Sequence, residues 1–295
     1  MSTFQIDENQ LKALKGKVAV LTGSSSGIGL ETLKLFVENG ATVVNADLKP
    51  PADEYPNTTF IKTDVTKWED LRNLFQETVK RFGRVDVTFA NAGVATIADY
   101  FDLQVDDLGQ PKEPSRLCYE INVIGLINTV TLAIWHMARQ ETGGSIILTA
   151  SATSNELTGY MTFGATDYTT SKHSVLGFQR GVLPQLRVRK LDKIRLNSIA
   201  PNWTRTNLLD AQWLESIGVK FQDPSAVARA VGLLAADEAR NGQVIYIENG
   251  NYREIEKDAL ACSFQLCNTL AEGNSHAQDD EVFEEIFKNG QGRKI

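Results

Sequence analysis

The sequence has few cysteines and no excess of positive charge, and both shortages exclude classes of protein. Among its 295 residues are three cysteines, Cys118, Cys262 and Cys267, with no C-x-x-C pair. Disulfide frameworks and metal sites need paired or clustered ligands, so we expect reduced thiols, a cytoplasmic location and no metal. The formal net charge of −7 repels phosphates. We therefore expect no nucleic-acid partner.

Long apolar runs and a secretory signal are also missing from the sequence pattern. No stretch approaches the roughly 20 apolar residues of a membrane helix. Residues 1–10 are polar and acidic, without a basic start and an apolar run. We therefore expect no membrane association. His136 and His276 have no carboxylate or cysteine cluster spaced for a metal, and His173 is expected to be a packing or interface residue.

What the sequence does contain is a regular alternation of short β-branched runs and segments of helical period. The predicted strands are 17–22, 41–46, 58–62, 86–90, 145–150, 194–199 and 243–247, and the predicted helices are 27–38, 67–82, 116–139, 168–187 and one after Pro224. This alternation predicts a single α/β domain with a doubly wound seven-stranded parallel sheet and helices on both faces. We expect the catalytic domain to cover residues 1–250 and a C-terminal extension to cover 251–295. Ligands of such sheets bind at the carboxyl ends of the strands.

A glycine-rich turn follows the first predicted strand and opens the first long helix. It reads Thr22-Gly23-Ser24-Ser25-Ser26-Gly27-Ile28-Gly29. Glycines allow a tight turn and a close approach of backbone to a pyrophosphate, which then lies at the N-terminus of the helix. The strand–turn–helix context therefore predicts a Rossmann dinucleotide site.

Asp47 ends the second predicted strand and is the candidate ribose ligand. A carboxylate there can accept hydrogen bonds from both hydroxyls of the adenosine ribose. The same charge would repel the 2′-phosphate of NADP. We therefore predict NAD over NADP, although Lys49 lies nearby in the sequence. A solvated acid at a strand end is the alternative interpretation.

Several short motifs in a fixed order carry a family resemblance. They are Thr22-Gly23-x-x-x-Gly27-x-Gly29, Asp64-Val65, Asn91-Ala92-Gly93, Asn122-Val123-x-Gly125, Tyr168-x-x-x-Lys172 and Pro201-Asn202-Trp203-Thr204-Arg205-Thr206. From about Lys15 to Gly250 the chain resembles the short-chain dehydrogenase/reductase family, of the type called classical. The resemblance implies a small-molecule substrate, a homodimer or homotetramer, and these dinucleotide contacts: Gly23, Ser26, Gly27, Ile28, Gly29, Asp47, Asp64, Val65, Asn91, Ala92, Gly93, Tyr168, Lys172, Pro201, Thr204 and Thr206.

The pair Tyr168 and Lys172 supplies the predicted acid/base chemistry. Four residues apart, the two side chains share one helix face. A free phenol has a pKa near 10, and a neighbouring ammonium favours the phenolate and lowers that value. Tyr168 is thus the predicted proton acceptor for alcohol oxidation and donor for ketone reduction. The resemblance adds Ser151 as the residue that holds the substrate oxygen and Asn122 as the organiser of a water near Lys172. Asn122 could instead be a helix-interior amide that bonds to backbone.

The sequence departs from the family pattern at two places. Ser151 lies 17 residues before Tyr168, a longer spacing than the family commonly shows. Ser154 and, more weakly, Thr153 are therefore rival candidates. Asn202 stands where the family usually has glycine, and Asn tolerates unusual backbone angles better than most residues.

The segments 94–115, 154–167 and 205–222 are expected to face the substrate. Their apolar side chains, among them Tyr160, Met161, Phe163, Leu208, Leu209 and Trp213, predict a mid-sized apolar substrate such as a terpenoid, polyketide, steroid or fatty-acid derivative. Packing of these residues on one another is the alternative. For the whole chain, the alternatives to an oxidoreductase are a dinucleotide-binding relative that catalyses isomerisation, dehydration or cyclisation, and a non-catalytic sensor or scaffold.

Overall fold

An eight-stranded sheet forms the centre of the protein. A computed structural model describes residues 3–154 and 165–268. The strands are β1 (Val18–Thr22), β2 (Thr42–Asp47), β3 (Thr58–Lys62), β4 (Val87–Ala90), β5 (Gly144–Thr149), β6 (Ile194–Pro201), β7 (Val244–Glu248) and β8 (Asn251–Glu254). Their order in space is β3-β2-β1-β4-β5-β6-β7-β8. The predicted doubly wound Rossmann arrangement is thereby confirmed, with seven parallel strands.

The eighth strand corrects the predicted strand count. β8 pairs antiparallel with β7, and Glu248 lies opposite Asn251. The two-residue turn Asn249-Gly250 has positive φ at both positions, 50° and 73°. Asn and Gly are the residues that such a hairpin turn requires, because its twist matches that of the flanking strands. The sheet therefore continues to Glu254.

Helices cover both faces of the sheet. They are α1 (Glu8–Leu11), α2 (Gly27–Glu38), α3 (Trp68–Phe82), α4 (Leu117–Tyr119), α5 (Leu126–Met137), α6 (Thr166–Val188), α7 (Ala211–Ser216), α8 (Pro224–Ala236) and α9 (Glu256–Asn268). Helices α2 and α8 pack on one face through residues such as Leu33, Phe36 and Val231. Helices α3, α5 and α6 pack on the other through Phe75, Val130 and Val175. Both faces of the sheet are thus buried, as parallel strands require.

The predicted helix 116–139 is interrupted by a π-helical turn. Residues Glu120–Gly125 join α4 to α5 in this wider conformation. Turns of this kind often mark functional positions, because the extra residue redirects side chains and loosens the backbone ladder.

One apolar segment is longer than the sequence pattern indicated. The helix from Leu117 to Met137 has 21 residues and contains an 18-residue stretch with a mean hydropathy of 1.6, so by length and composition alone it could cross a membrane. The expectation that no stretch approaches this length is therefore wrong. Leu126, Val130 and Met137 on this helix are buried in the core beside the sheet. This is the packing of a core helix within a folded domain, which passes the same length test.

The chain reverses its direction across the sheet between β1 and β4. From β1 it proceeds to β2 and β3 on one side, and from β4 to the remaining strands on the other. A crevice forms at the carboxyl ends of strands where the order reverses. The glycine-rich turn after β1 and the segment after β4 therefore meet at this point.

Candidate active site

The glycine-rich turn is packed too tightly to accept side chains. A Cβ on Gly29 would lie 2.1 Å from the carbonyl oxygen of Gly23, and one on Gly23 would lie 2.7 Å from Cα of Ala92. Gly27 adopts a φ of +53° at the start of α2. Ser26, at the cap position, makes no side-chain cap bond. The first N–H groups of α2 are thus not capped by Ser26, and the helix N-terminus suits the pyrophosphate of a dinucleotide.

Asp47 lies at the end of β2, directly beside this turn. Its Oδ2 accepts a hydrogen bond of 3.0 Å from the Ser25 N–H, and its Oδ1 accepts one of 2.7 Å from the Leu48 N–H. Each carboxylate oxygen keeps further acceptor capacity. The arrangement fits the two hydroxyls of an adenosine ribose at the edge of the site.

Asn91, Ala92 and Gly93 follow β4 and are tied to the end of β1. Asn91 Nδ2 donates to the carbonyl oxygen of Gly23 over 3.0 Å. The N–H groups of Asn91 and Ala92 donate to Thr22 Oγ1 over 3.0 and 3.2 Å. These bonds fix the glycine-rich turn against the segment after β4.

The chain brings Ser151, Tyr168 and Lys172 together at the carboxyl end of β5. Ser151 follows β5 by two residues, is buried, and hydrogen-bonds with the Tyr168 side chain. Thr153, a rival candidate, donates its N–H to Ser151 Oγ over 3.3 Å. The Lys172 ammonium lies 5.7 Å from the centroid of the Tyr168 ring. Ser151 therefore occupies the position beside the phenol, and the side chain of Ser154 lies outside the described residues.

Burial dominates the acid–base properties of both groups on α6. It lowers the pKa of Lys172 to about 8. It also raises the pKa of Tyr168, against the opposing effect of the Ser151 hydrogen bond. Lys172 Nζ donates to the carbonyl oxygen of Thr149 over 2.9 Å. The expected lowering of the Tyr168 pKa by Lys172 is therefore not produced by the protein groups alone. It requires additional positive charge, which an oxidised nicotinamide carries.

Asn122 lies in the π-helical turn and is buried. Its Oδ1 accepts from the Val94 N–H over 2.9 Å, and its Nδ2 donates to the Val94 carbonyl oxygen over 3.0 Å. Nδ2 also donates to Ser171 Oγ over 3.0 Å. The side-chain amide is thus bonded mainly to the segment after β4, as the alternative interpretation of Asn122 anticipates. A Cβ on Gly93 would lie 3.2 Å from Asn122 Oδ1 and 3.7 Å from Lys172 Nζ, so the three residues are neighbours.

Asp64 and Val65, two of the predicted dinucleotide contacts, lie after β3. Asp64 Oδ1 accepts from the Thr66 hydroxyl over 2.6 Å, which lowers the pKa of Asp64. Val65 is buried, and its Cγ2 would lie 2.8 Å from a Cβ on Gly125. The π-helical turn therefore packs directly against this segment.

The segment after β6 is shaped by Asn202 and not by an unusual backbone angle. The φ of Asn202 is not among the positive values. Its Nδ2 donates to the Tyr246 hydroxyl over 3.0 Å, and its carbonyl accepts from Thr204 Oγ1 over 2.7 Å. Pro201 ends β6. Further along the segment, Thr206 Cγ2 would lie 3.1 Å from a Cβ on Gly27, so the predicted segment reaches the glycine-rich turn.

Two buried polar residues at the site are not among those predicted from the sequence. Gln222 donates through Nε2 to Thr204 Oγ1 and to the carbonyl oxygen of Ile247, both over 3.1 Å, and so holds the segment after β6 against β7. Asp167, directly before Tyr168, is fully buried and binds the segment after β4. Neither residue belongs to a motif, and a lone Gln or Asp is usually a surface residue.

The segments expected to face the substrate expose several apolar side chains. Between β4 and α4, Phe101 is 93% exposed and Leu108 is 83% exposed. Leu208, Leu209 and Trp213 are also exposed. Tyr160, Met161 and Phe163 lie outside the described residues. His173 is exposed, His136 stacks on Phe75, and His276 lies outside the described residues. Among residues 3–154 and 165–268 there is no cluster of His, Cys, Asp and Glu suited to a metal.

Three known proteins are similar to this chain in sequence. The chain is 40% identical over 265 residues to the short-chain dehydrogenase/reductase ascJ of Acremonium egyptiacum, with 88% of each chain covered. It is 36% identical to the (−)-isopiperitenol/(−)-carveol dehydrogenase, mitochondrial, of Mentha piperita, over 78% of this chain and 90% of that one. It is 34% identical to the (+)-cis,cis-nepetalactol synthase NEPS3 of Nepeta racemosa, over 77% and 88%.

A solved structure and a family model agree with these relatives. The structure of a short-chain type dehydrogenase/reductase from Mycobacterium marinum superposes with a TM-score of 0.68 at 27% identity, over 83% of this chain and 98% of that one. The sequence model described as short chain dehydrogenase matches residues 17–216. The chain belongs to the short-chain dehydrogenase/reductase family.

Proposed function

We propose that this protein is an NAD(H)-dependent oxidoreductase acting on a secondary alcohol or ketone, with Tyr168 as its acid/base. The observation that carries the proposal is the hydrogen bond between Tyr168 and Ser151, with Lys172 buried on the same helix. A phenol, a hydroxyl and an ammonium are thus gathered where β5 ends. Bound NAD supplies the acceptor for the hydride of the carbinol carbon.

The protein's own residues handle the oxygen and the proton. In alcohol oxidation, Tyr168 takes the hydroxyl proton and Ser151 holds the substrate oxygen through its hydroxyl. Burial raises the pKa of Tyr168, and the positive charges of Lys172 and of an oxidised nicotinamide would together oppose it and favour the phenolate form. Asn122 keeps the π-helical turn joined to Val94, beside Lys172. In ketone reduction the proton moves in the opposite direction.

Preference for NAD over NADP is proposed from Asp47. Its two oxygens are fixed by the N–H groups of Ser25 and Leu48, and its negative charge opposes a 2′-phosphate. Gly23, Gly27 and Gly29 leave room for the pyrophosphate at the start of α2. The glycine-rich turn itself contains no cation that would favour NADP.

A mid-sized apolar substrate is proposed, and a cyclic terpenoid alcohol is the class we favour. Support comes from the exposed apolar residues Leu208, Leu209 and Trp213 after β6. One relative is named for two such alcohols, isopiperitenol and carveol. Homo-oligomerisation and a cytoplasmic location stay predictions.

The test is oxidation of (−)-carveol, followed by NADH absorbance. We expect stoichiometric NADH formation and a fall in kcat of about a hundredfold or more for Tyr168→Phe, because the variant loses its proton acceptor. Tyr55→Phe removes a hydroxyl on a loop between β2 and β3 and serves as the matched control. Undiminished turnover by Tyr168→Phe would contradict the assignment of the acid/base.

A second candidate is a reaction without net redox change, such as cyclisation or isomerisation. It is favoured by the similarity to a relative named nepetalactol synthase. The same assay separates the two, because turnover of substrate without any change in NADH absorbance would support this alternative.

A further inference from the structure

The segment 94–98 after β4 is held by side chains from two helices. It belongs to no helix or strand. Asn122 of the π-helical turn bonds both the N–H and the carbonyl oxygen of Val94, over 2.9 and 3.0 Å. The rest of the segment is bound by Asp167, from the first turn of α6. Two buried side chains thus satisfy backbone groups of this segment that a neighbouring strand would satisfy in a sheet.

Asp167 is fully buried and accepts hydrogen bonds from three N–H groups, one hydroxyl and the Cys118 thiol. Its Oδ2 accepts from the N–H groups of Ile97 and Ala98, over 3.0 and 3.1 Å. Its Oδ1 accepts from the Thr96 hydroxyl and, over 2.8 Å, from the Tyr168 N–H. No ion pair involves Asp167 in the described part of the chain. A buried carboxylate without a cation is stable only when its oxygens are satisfied, and here each oxygen has at least two donors.

These bonds keep Asp167 ionised. Burial alone would raise its pKa, but the hydrogen bonds from Thr96, Ile97, Ala98 and Tyr168 together lower it below the usual value. An ionised carboxylate only accepts hydrogen bonds, so it matches two adjacent N–H groups that an amide nitrogen would repel.

The segment that Asp167 holds lies next to the proposed reacting centre. It continues directly from Gly93, which neighbours both Asn122 Oδ1 and Lys172 Nζ. Asp167 itself precedes Tyr168 in the chain. The side chain of Ile97 is 44% exposed although its N–H is bound to a buried group. An apolar side chain is therefore fixed at the mouth of the site.

We propose that Asp167 is a positioning residue that fixes residues 96–98 as one wall of the substrate pocket and thereby sets the selectivity for bulky alcohols. The selectivity rests on the proposed function, whereas the fixing of the segment does not. A group that merely capped α6 would not need the bonds to Ile97 and Ala98.

The experiment compares Asp167→Asn with the wild type in two measurements. The first is hydrogen exchange at the amides of residues 97 and 98, measured without substrate. We expect it to accelerate about tenfold or more, because Asp167 binds N–H groups through both oxygens and asparagine keeps one: its NH2 group must face either the N–H groups of Ile97 and Ala98 or that of Tyr168. The second is the ratio of kcat/KM for (−)-carveol to that for cyclohexanol. We expect this ratio to fall about tenfold, mainly through KM for carveol, with NADH affinity unchanged.

Asp99→Asn is the matched control in the same loop. Both bonds to Asp99, from the N–H groups of Phe101 and Asp102, go to Oδ1, which asparagine retains. We expect no change in either measurement. Should Asp167→Asn fail to fold, Thr96→Val removes one donor from an exposed residue and is expected to shift both measurements in the same direction by a smaller factor.

The two measurements separate the failure of this inference from that of the proposed function. Unchanged exchange at residues 97 and 98 in Asp167→Asn would overturn the inference, as would a constant selectivity ratio. If the wild type oxidises neither alcohol, the proposed substrate class fails, and the exchange measurement still decides whether Asp167 fixes the segment.

Discussion

Lys172 is a charged residue that the fold accommodates at a cost. Burial brings its pKa to about 8, below the unfolded value of 10.5. Below pH 8 both the folded and the unfolded state hold the Lys172 proton, so the full free-energy cost of burying the ammonium applies. Between pH 8 and 10.5 the folded state releases its proton first, so stability rises with pH and the cost disappears. A difference of about two and a half pH units corresponds to about 3 kcal/mol.

The first residue-scale prediction is therefore that Lys172→Met stabilises the protein while abolishing activity. At pH 7, without cofactor, we expect a gain of about 1–2 kcal/mol, since the lost bond to Thr149 offsets part of the relief. The gain should shrink when unfolding by urea is repeated at pH 10. A variant less stable than wild type at pH 7 would show that the ammonium is not a burden on the fold.

Asp47 carries the second residue-scale prediction. For Asp47→Ala we expect NADH affinity to fall about tenfold or more, because hydrogen bonds to a charged group are lost. NADPH affinity should not fall with it, because the repulsion of the 2′-phosphate is removed. Fluorescence titration with both cofactors measures this. Asp53→Ala removes an exposed acid from the loop after β2 and is the control. Equal losses for the two cofactors would argue against Asp47 as the ribose ligand.

At the scale of single residues, motifs were informative where chemistry demands particular side chains at fixed spacing. Tyr168, Lys172 and Ser151 were predicted and lie together. Asp167 was missed, because an acid in the first turn of a helix is common and its burial depends on a segment some 70 positions earlier in the chain. Only the tertiary contact reveals it.

At the scale of elements, the seven parallel strands were predictable because each is a short β-branched run between helical segments. β8 was not, although its signal, Asn249-Gly250 after an apolar run, is present in the sequence. Because the family resemblance ends at Gly250, residues 251–254 are predicted to lie in the C-terminal extension. The π-helical turn at Glu120–Gly125 has no pattern of its own, since its hydrophobic spacing resembles that of an ordinary helix.

Gly125 supplies the element-scale prediction, since it sets the distance between the π-helical turn and the segment after β3. A Cβ there would meet Val65 Cγ2 at 2.8 Å and the Val65 carbonyl oxygen at 3.1 Å. We expect Gly125→Ala to destabilise the protein by about 1–3 kcal/mol and to weaken NADH binding through displacement of Asp64-Val65. The measurements are urea unfolding and fluorescence titration.

Gly181→Ala is the control for this helix substitution. Gly181 lies in α6, and apart from its chain neighbours and the backbone of its own helix no atom of the described residues lies within 4 Å of its added Cβ. There the substitution should be neutral or stabilise by up to about 1 kcal/mol, because glycine is a poor helix former. If both substitutions had the same effect, contact with Val65 would not be the reason.

At the scale of the whole molecule, an apolar stripe on the helix Leu117–Met137 lacks a cover within the described residues. Leu117, Ile124 and Trp135 share one face of it and are 42%, 49% and 50% exposed. The opposite face is in the core, which explains why the segment is apolar on nearly all sides. We expect this stripe to be the contact between copies of the chain, in a homodimer or homotetramer.

Replacing Trp135 with glutamate would place a charge in that contact. We expect Trp135→Glu to dissociate the oligomer, as seen by light scattering after gel filtration, because the contact loses the apolar area of the ring and would have to bury charged groups. Arg139, whose guanidinium lies 3.8 Å from the centroid of the Trp135 ring, would then face a carboxylate in place of that ring. Trp213→Glu, on the exposed helix α7, is the control and should leave the mass unchanged. A monomeric wild type, or an oligomer that survives Trp135→Glu, would show that this face serves another purpose.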